Sequence, residues 1–257
     1  MQLWQLASAT FFLYVALIVL WRGGHRPADR RAMSGAVVGL VLVLVSVFVH
    51  GPLLAEWIWP PLLLLVAYWS SGLLFVAPCP RQEAGLQWLD DLVGVREVAR
   101  RTPRALAEIL EAAYAGVYLL IPLALLVRIW FVPPADVDRF WSVVLITDFV
   151  CFGVLPWVQT RPPRALEAGE PWPSSFRAFN LRLRGATSIQ VNTFPSGHAA
   201  EALAAALLVL GAPPVIVALM FAAALAVSAG AVLGRYHYFA DALAGWVVAV
   251  GVFVMLS

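Results

Sequence analysis

The sequence contains no lysine, and few of its residues carry any charge. Charged side chains make up 12% of the 257 residues, and all 17 basic residues are arginine. A soluble domain has about 25% charged residues, so this composition excludes an ordinary soluble protein and indicates no nucleic-acid partner. Two cysteines, Cys79 and Cys151, are too few for a disulfide framework or a thiolate metal site.

The sequence is unusually rich in hydrophobic residues. Hydrophobic residues account for 62% of the chain, against roughly 45–50% in a soluble domain. Apolar stretches of the length that crosses a bilayer, about 17–25 residues, recur along it. They cover residues 3–21, 33–50, 57–77, 109–132, 140–158, 197–211, 214–233 and 239–256. The sequence therefore predicts an all-α integral membrane protein with about eight transmembrane helices, the sixth of them short.

Polar connections divide these stretches into a simple order. The only long ones are residues 78–108 and 159–196. We expect a two-helix N-terminal addition over residues 1–50, its first helix retained and not cleaved as a signal peptide, because Arg22 follows it directly. A six-helix core over residues 51–257 follows. Apolar residues among acids and arginines from Gln82 to Arg104 predict an interfacial helix, which either covers the substrate entry or only connects two helices.

Two short segments carry the chain's candidate catalytic histidines. They are Phe194-Pro195-Ser196-Gly197-His198 and Gly234-Arg235-Tyr236-His237-Tyr238-Phe239-Ala240-Asp241. The apolar hairpin between them starts and ends on one face of the membrane. The loop with Arg161 and Arg164 lies on that face too, because the first helix of the hairpin begins at the end of this loop. Three segments are therefore expected to meet at one interface.

Each segment offers a chemical role. If residues 237–241 are helical, the Asp241 carboxylate can hold one ring nitrogen of His237 and leave the other as a nucleophile. Ser196 and Gly197 stand where a loop becomes a helix, so their backbone amides can bind an anion. His198 can protonate a leaving oxygen.

Arginines complete this arrangement. The guanidinium groups of Arg161, Arg164 and Arg235 can neutralise a phosphoryl group, since the arginine fork matches phosphate oxygens. Together these groups describe phosphoryl transfer through a phosphohistidine, without a metal ion.

The motifs resemble those of the type 2 phosphatidic acid phosphatase (PAP2) superfamily of membrane lipid phosphatases and phosphotransferases. That family shows Lys-x6-Arg-Pro, Pro-Ser-Gly-His and Ser-Arg-x5-His-x3-Asp. The second block matches as Pro195-Ser196-Gly197-His198, and the end of the third as His237-x3-Asp241. The resemblance covers about residues 57–257. It implies that His237 is the nucleophile, Asp241 its orienting carboxylate and His198 the general acid.

Two positions depart from the family pattern. Val154 stands at the lysine position of the first block, and Arg164 is the nearest substitute. Ala231 stands at the arginine position of the third block, and Arg235, four residues on, would share its helical face if the helix continued that far. The Gly-Arg-Tyr-His-Tyr sequence is similar to a branch that includes inositol phosphorylceramide synthase-like proteins. The departures affect the phosphate clamp and leave the histidine chemistry in place.

Further polar residues are candidates for the substrate pocket. Glu201, one turn after His198, either hydrogen-bonds it or shapes an acceptor pocket. Tyr236 and Tyr238 flank the nucleophile at the interface, where tyrosines are common in any case. Asp148 lies in mid-helix, about ten residues before Arg161, so we expect it to pair with a neighbouring helix and to stay outside the phosphate site.

These observations predict a membrane phosphatase acting on a lipid phosphate or diphosphate, with no cofactor and no metal. The alternatives are a lipid phosphotransferase using the same histidine, a membrane metallohydrolase in which the two histidines, Asp241 and Glu201 bind a divalent ion, and a non-enzymatic transport protein. The partners are the lipid substrate and the bilayer, and a homo-oligomer is compatible with the sequence.

The expected location is the bacterial cytoplasmic membrane, crossed several times. The side that the active site faces is open at this stage. Arginines in the first and third loops place those loops and the site in the cytoplasm, whereas the resemblance implies the opposite face.

Overall fold

The computed structural model describes residues 1–49, 51, 53–133, 136–172 and 174–257, without the side chains of residues 55, 56, 184, 186 and 187. Within these ranges the regular structure is entirely helical, with twelve α-helices and no strand. The predicted all-α fold class is therefore confirmed. Residue 50, the predicted end of the second helix and of the N-terminal addition, lies outside the described residues.

The helices are joined by connections of different lengths, the longest of which runs from residue 154 to residue 174. Their bounds are α1 Leu3–Trp21, α2 Pro27–Phe48, α3 Trp59–Gly72, α4 Pro80–Leu92, α5 Val95–Arg101, α6 Arg104–Ala115, α7 Val117–Phe131, α8 Val137–Gly153, α9 Ser175–Thr187, α10 Gly197–Leu208, α11 Pro214–Leu233 and α12 Phe239–Met255. A π-helical turn, Leu54–Ile58, leads into α3. A short 3₁₀ turn, Pro163–Ala165, follows α8.

Fewer described helices than the eight predicted spans are long and apolar enough to cross a membrane by themselves. By length and composition three described helices, α1, α2 and α11, can cross a membrane, or four if α6 and α7 form one broken span. Those two helices meet at an angle of 65° near Gly116, where the sequence predicted a continuous span over residues 109–132. Helix α8 ends at Gly153 instead of residue 158, and α10 and α12 are short apolar helices.

Helix α10 lies at the centre of the molecule. It packs against α7, α8, α11 and α12. Half of its twelve residues are alanine, and nearly all residues of the helix are buried. Small side chains let neighbouring helices approach closely in a membrane protein. The N-terminus of α10, which begins with the Pro-Ser-Gly-His motif, is therefore held by several helices at once.

The first three helices pack on the same body. Helix α1 contacts α8, and the rings of Phe11 and Phe149 stack with centroids 4.5 Å apart. Helix α3 also packs against α8. The boundary of a separate N-terminal unit at residue 50 stays a prediction.

The predicted interfacial segment forms two helices, α4 and α5. They are separated by Gly94, whose backbone is left-handed with φ of 70°. Side chains of Trp88, Leu92 and Val98 are exposed, as an interfacial helix requires. On its other side α4 packs against α12, so this segment covers the end of the helix that carries Asp241.

Candidate active site

The site begins where α10 starts and α12 runs beside it. The Ser196 hydroxyl caps α10 by accepting from the Ala199 N–H at 3.3 Å. The Ser196 N–H in turn donates to the Asp241 carbonyl at 2.9 Å. Gly245, one turn further along α12, allows this contact, because a Cβ there would lie 2.6 Å from the Ser196 carbonyl oxygen. Backbone contacts therefore fix one catalytic segment to the other.

The segment with His237 is a tight turn and not a helix. Helix α11 ends at Leu233, and the Ala231 carbonyl accepts both the Tyr236 and His237 N–H groups at 2.9 Å. The condition that residues 237–241 form a helix is therefore not met, because α12 begins only at Phe239. The two side chains still meet, with His237 Nδ1 3.4 Å from Asp241 Oδ2, because α12 begins at Phe239 and places Asp241 in its first turn.

The two histidines face each other. Their ring centroids are 6.2 Å apart, at an interplanar angle of 48°. Tyr118 of α7 reaches His198, with its hydroxyl 3.2 Å from Nε2, and the Tyr114 ring stacks on His198 at 5.4 Å. Sequence reasoning missed both tyrosines, because they lie about 80 residues from His198 along the chain.

A cavity of about 330 Å³ opens between the histidines and α3. Its walls are mostly apolar. The lining residues are Leu64, Leu65, Tyr68, Trp69, Tyr118, Asp148, Phe152, Leu183, Val191, Thr193, Gly197, His198, Glu201 and His237. The structure therefore brings Gly197, both histidines and Glu201 to one cavity, with an apolar wall from α3.

Asp148 belongs to this cavity, contrary to the expectation from its position in the sequence. It lines the cavity, and its Oδ1 is 3.3 Å from the point where a Cβ of Gly197 would lie. The reason is that α8 ends five residues sooner than predicted and runs alongside α10. Asp148 is consequently close to the start of α10.

Tyr236 and Tyr238 do not line the cavity in the described part of the chain. Both are fully buried. The Tyr236 hydroxyl donates to Glu111 Oε2 at 2.7 Å, and the Tyr238 hydroxyl donates to the Arg161 carbonyl at 3.1 Å. Burial raises the pKa of both phenols. They support the turn that carries His237 and do not form a pocket wall.

Arg235 does not continue the face of α11. Its backbone is left-handed, with φ of 61°, since the helix has already ended. The guanidinium is buried between two carboxylates: Nη1 donates to Asp90 Oδ2 at 2.6 Å and Nε to Glu167 Oε2 at 3.0 Å. This arginine ties α4 and the loop after α8 to the catalytic turn. Its predicted contact with phosphate stays a prediction.

The other two candidate arginines lie in the loop after α8. Arg161 forms a two-point pair with Glu83, with Nε to Oε1 at 3.0 Å and Nη2 to Oε2 at 2.9 Å. Hydrogen bonds from the Arg161 side chain lower the pKa of Glu83. The Arg164 guanidinium lies 5.6 Å from the centre of the Tyr236 ring, and the backbone N–H of Arg164 donates to the Arg235 carbonyl at 3.0 Å.

A buried polar network that the sequence did not reveal lies behind the turn. Glu111 of α6 and Arg177 of α9 pair at 3.0 Å. Arg177 also donates to the Gly234 carbonyl at 2.9 Å, and the Asn180 amide donates to Glu111 Oε2 at 2.6 Å. Helix α9 was not predicted, since its polar sequence reads as part of a long loop. Mid-helix charge in an apolar chain was the available signal for Glu111.

Within the residues described, no three histidine, cysteine, aspartate or glutamate side chains are grouped to hold a metal ion. The metallohydrolase alternative therefore lacks a ligand set in that part of the chain.

The fold and the site together define an all-helical membrane protein with two facing histidines, one of them beside a carboxylate. A family model of the PAP2 superfamily matches residues 83–255. The match covers well over half of the chain, which therefore belongs to the PAP2 superfamily. Membership implies an enzyme of the phosphoryl-transfer or hydrolase type. The match starts within α4, so α1, α2 and α3 lie outside it.

No curated protein matches the chain significantly, and no solved structure does. The finer assignment to the Gly-Arg-Tyr-His-Tyr branch stays a prediction.

Proposed function

We propose that this protein is a membrane lipid phosphatase that hydrolyses a lipid phosphate or diphosphate through a phosphohistidine at His237. One observation carries the proposal: His198 and His237 lie with their ring centroids 6.2 Å apart and both line one mostly apolar cavity. A nucleophile and an acid on opposite sides of one phosphoryl group need such a spacing. The two side chains come from segments that the backbone holds together, which keeps their separation constant.

Two chemical steps follow from this placement. Because Nδ1 of His237 faces Asp241, Nε2 attacks phosphorus, and the bond from phosphorus to the leaving oxygen breaks. His198 gives that oxygen its proton. In the second step His198 takes a proton from water, the resulting hydroxide attacks phosphorus, and the bond to Nε2 breaks. Inorganic phosphate leaves and both rings return to their starting state.

The phosphoryl oxygens need donors that are already in position. The first turn of α10 supplies backbone N–H groups without carbonyl partners inside the helix, and Gly197 there lines the cavity. Arg164, against the Tyr236 ring, is the candidate guanidinium. Arg161 and Arg235 already form ion pairs with carboxylates. We therefore propose that their main role is to hold the site in shape, and that binding the phosphate is their secondary role.

The apolar wall indicates a lipid substrate. Side chains of Leu64, Leu65 and Trp69 from α3 line the cavity that also contains the histidines. A hydrocarbon chain buried there gains about 0.8 kcal/mol for each methylene group. We place the protein in the bacterial cytoplasmic membrane on the same grounds. Transfer of the phosphoryl group to an alcohol is the second candidate function, because two carboxyl groups in the cavity fit an acceptor better than a phosphate.

The test measures phosphate release by the purified protein in detergent micelles, with phosphatidate and a polyprenyl diphosphate as separate substrates. His237→Asn is expected to lose at least about 10³-fold in turnover, as removal of a nucleophile does. His25→Asn is the matched control, since His25 lies in the connection between α1 and α2. Full turnover by His237→Asn in folded protein would overturn the proposal.

A further inference from the structure

Two carboxyl groups share the cavity with the histidines. Asp148 of α8 and Glu201 of α10 both line it, and no arginine is among the described side chains that line it. Asp148 is 1% exposed and Glu201 is 9% exposed. The other titratable side chains described in the lining are the two histidines, Tyr118 and Tyr68, and the buried Cys151 thiol lies close to both acids. Burying two carboxyl groups in this way costs folding free energy unless hydrogen-bond donors satisfy their oxygen atoms.

One of these oxygen atoms lacks a donor. Among the described residues, no group donates a hydrogen bond to Asp148 Oδ2, which is buried. A buried polar atom of this kind costs about 1–3 kcal/mol when nothing satisfies it. An oxygen held in this state at the wall of a cavity is available to a ligand that brings its own donor.

We propose that Asp148 and Glu201 form a binding subsite for a hydrogen-bond-donating head group, a hydroxyl or an ammonium, on an alcohol that accepts the phosphoryl group. This inference rests on the proposed function for its reaction but not for its binding. Two carboxyl groups offer no positive charge to a phosphate, so we do not assign the donor substrate to this pair. They attract hydroxyl and ammonium groups, which are donors that an acid-lined cavity suits.

The position of the pair sets the shape of the acceptor. Glu201 follows His198 by three residues, about 4.5 Å along the helix axis, and Asp148 packs against the helix start. An alcohol whose reacting hydroxyl meets His198 can therefore place a neighbouring polar group on the acids. Vicinal diols and 1,2-amino alcohols have this arrangement, and a single alkyl chain on them follows the apolar wall.

The reaction balances without a further reagent. His198 takes the proton of the acceptor hydroxyl, the alcohol oxygen attacks phosphorus, and the bond from phosphorus to His237 Nε2 breaks. The product is a phosphate monoester of the acceptor. Water and the alcohol compete for the same phosphohistidine, so the ratio of ester to inorganic phosphate reports the occupancy of the subsite.

A matched set of acceptors tests the proposal. The probes are 1-dodecanol, 1,2-dodecanediol and 2-amino-1-dodecanol, at equal concentration in micelles with phosphatidate. The two difunctional alcohols are expected to give about tenfold more ester than 1-dodecanol, the effect of one hydrogen bond to a charged group. Asp148→Asn and Glu201→Gln should remove that preference, measured as the ratio of ester to inorganic phosphate within each variant. Glu97→Gln, a surface acid, is the matched control.

A binding measurement separates this inference from the proposed reaction. The melting temperature of the wild-type protein should rise with 2-amino-1-dodecanol more than with 1-dodecanol, and the difference should vanish in Asp148→Asn. This holds even if the wild-type protein releases no phosphate, a result that would refute the proposed function alone. Equal stabilisation by all three alcohols, or an unchanged preference in both variants, would overturn the subsite. A gain with the amine alone identifies ammonium as the ligand group, and a gain with both identifies any donor.

Discussion

The contact between α10 and α12 makes Gly245 the most informative position to change. A Cβ at Gly245 would lie 2.6 Å from the Ser196 carbonyl oxygen and 3.2 Å from the Ala200 nitrogen. Ordinary contact begins near 3.4 Å, so Gly245→Ala must move the two helices apart by roughly 0.5–1 Å, since backbone atoms cannot rotate away. The shift acts directly on the hydrogen bond from Ser196 to Asp241.

We expect Gly245→Ala to affect activity more than stability. Overpacking destabilises by about 1–3 kcal/mol, and the better helix propensity of alanine returns about 1 kcal/mol. A displacement of about 1 Å between catalytic groups lowers turnover by about 10²-fold. We therefore expect Gly245→Ala to fold, to melt a few degrees lower, and to lose about 10²-fold in kcat.

Gly251 provides the control in the same helix. A Cβ there would meet no described atom within 4 Å, so Gly251→Ala should keep wild-type kcat and melt no lower than wild type, because alanine favours the helix by about 1 kcal/mol. The assay is phosphate release from phosphatidate, with thermal unfolding followed on the same preparations. Wild-type turnover by Gly245→Ala would refute the claim that this helix contact sets the distance between the histidines.

Three further predictions concern the surroundings of the site. Tyr118→Phe removes the hydroxyl beside His198 Nε2. It should lower kcat by about 2–10-fold, the contribution of one hydrogen bond, and leave KM unchanged. A change in KM alone would contradict the proposal that Tyr118 acts on His198. Arg235→Gln leaves two carboxylates without their cation and should lower the free energy of unfolding by about 3–5 kcal/mol. The melting temperature should fall, and Asp90→Asn in the same protein should partly restore it. An unchanged melting temperature in Arg235→Gln would contradict a stabilising role of the buried ion pairs. The Arg161 side chain lowers the pKa of Glu83 below its ordinary 4.5, so the pair stabilises the fold above that pH, and the stabilisation is lost as pH falls through the lowered pKa. The difference in melting temperature between wild type and Glu83→Gln should therefore be largest near pH 7 and shrink below pH 4.5. A difference that stays constant with pH would contradict this prediction.

The helical fold and the meeting of the two histidines could be predicted because both follow from local sequence. The bounds of α1 and α11 agree with the apolar stretches over residues 3–21 and 214–233, since hydrophobic length is a strong signal in a bilayer. The hairpin of α10 and α11 then returns the chain to the same end. Ser196 before a helical run is a capping signal, and its hydroxyl does cap α10.

The remaining features depend on contacts between distant segments. The partners of Arg235 are Asp90 and Glu167, 145 and 68 residues away, and no local pattern specifies such a pair. Asp148 was misplaced because the end of α8 was predicted five residues too late, and helix ends are set by tertiary packing as much as by propensity. Asp241 reached His237 by a turn and not by the helix that the spacing suggested.

The measurement that bears most directly on the central claim is the site of the covalent intermediate. Purified protein is mixed with phosphatidate, quenched in alkali within its first turnovers, digested and analysed by mass spectrometry for a phosphorylated peptide. A phosphoryl group on His237, absent from His237→Asn and persisting longer in His198→Asn because the base for hydrolysis is gone, is the predicted result. Phosphate release by the wild-type protein with the phosphoryl group on another residue, such as His198, would contradict the account.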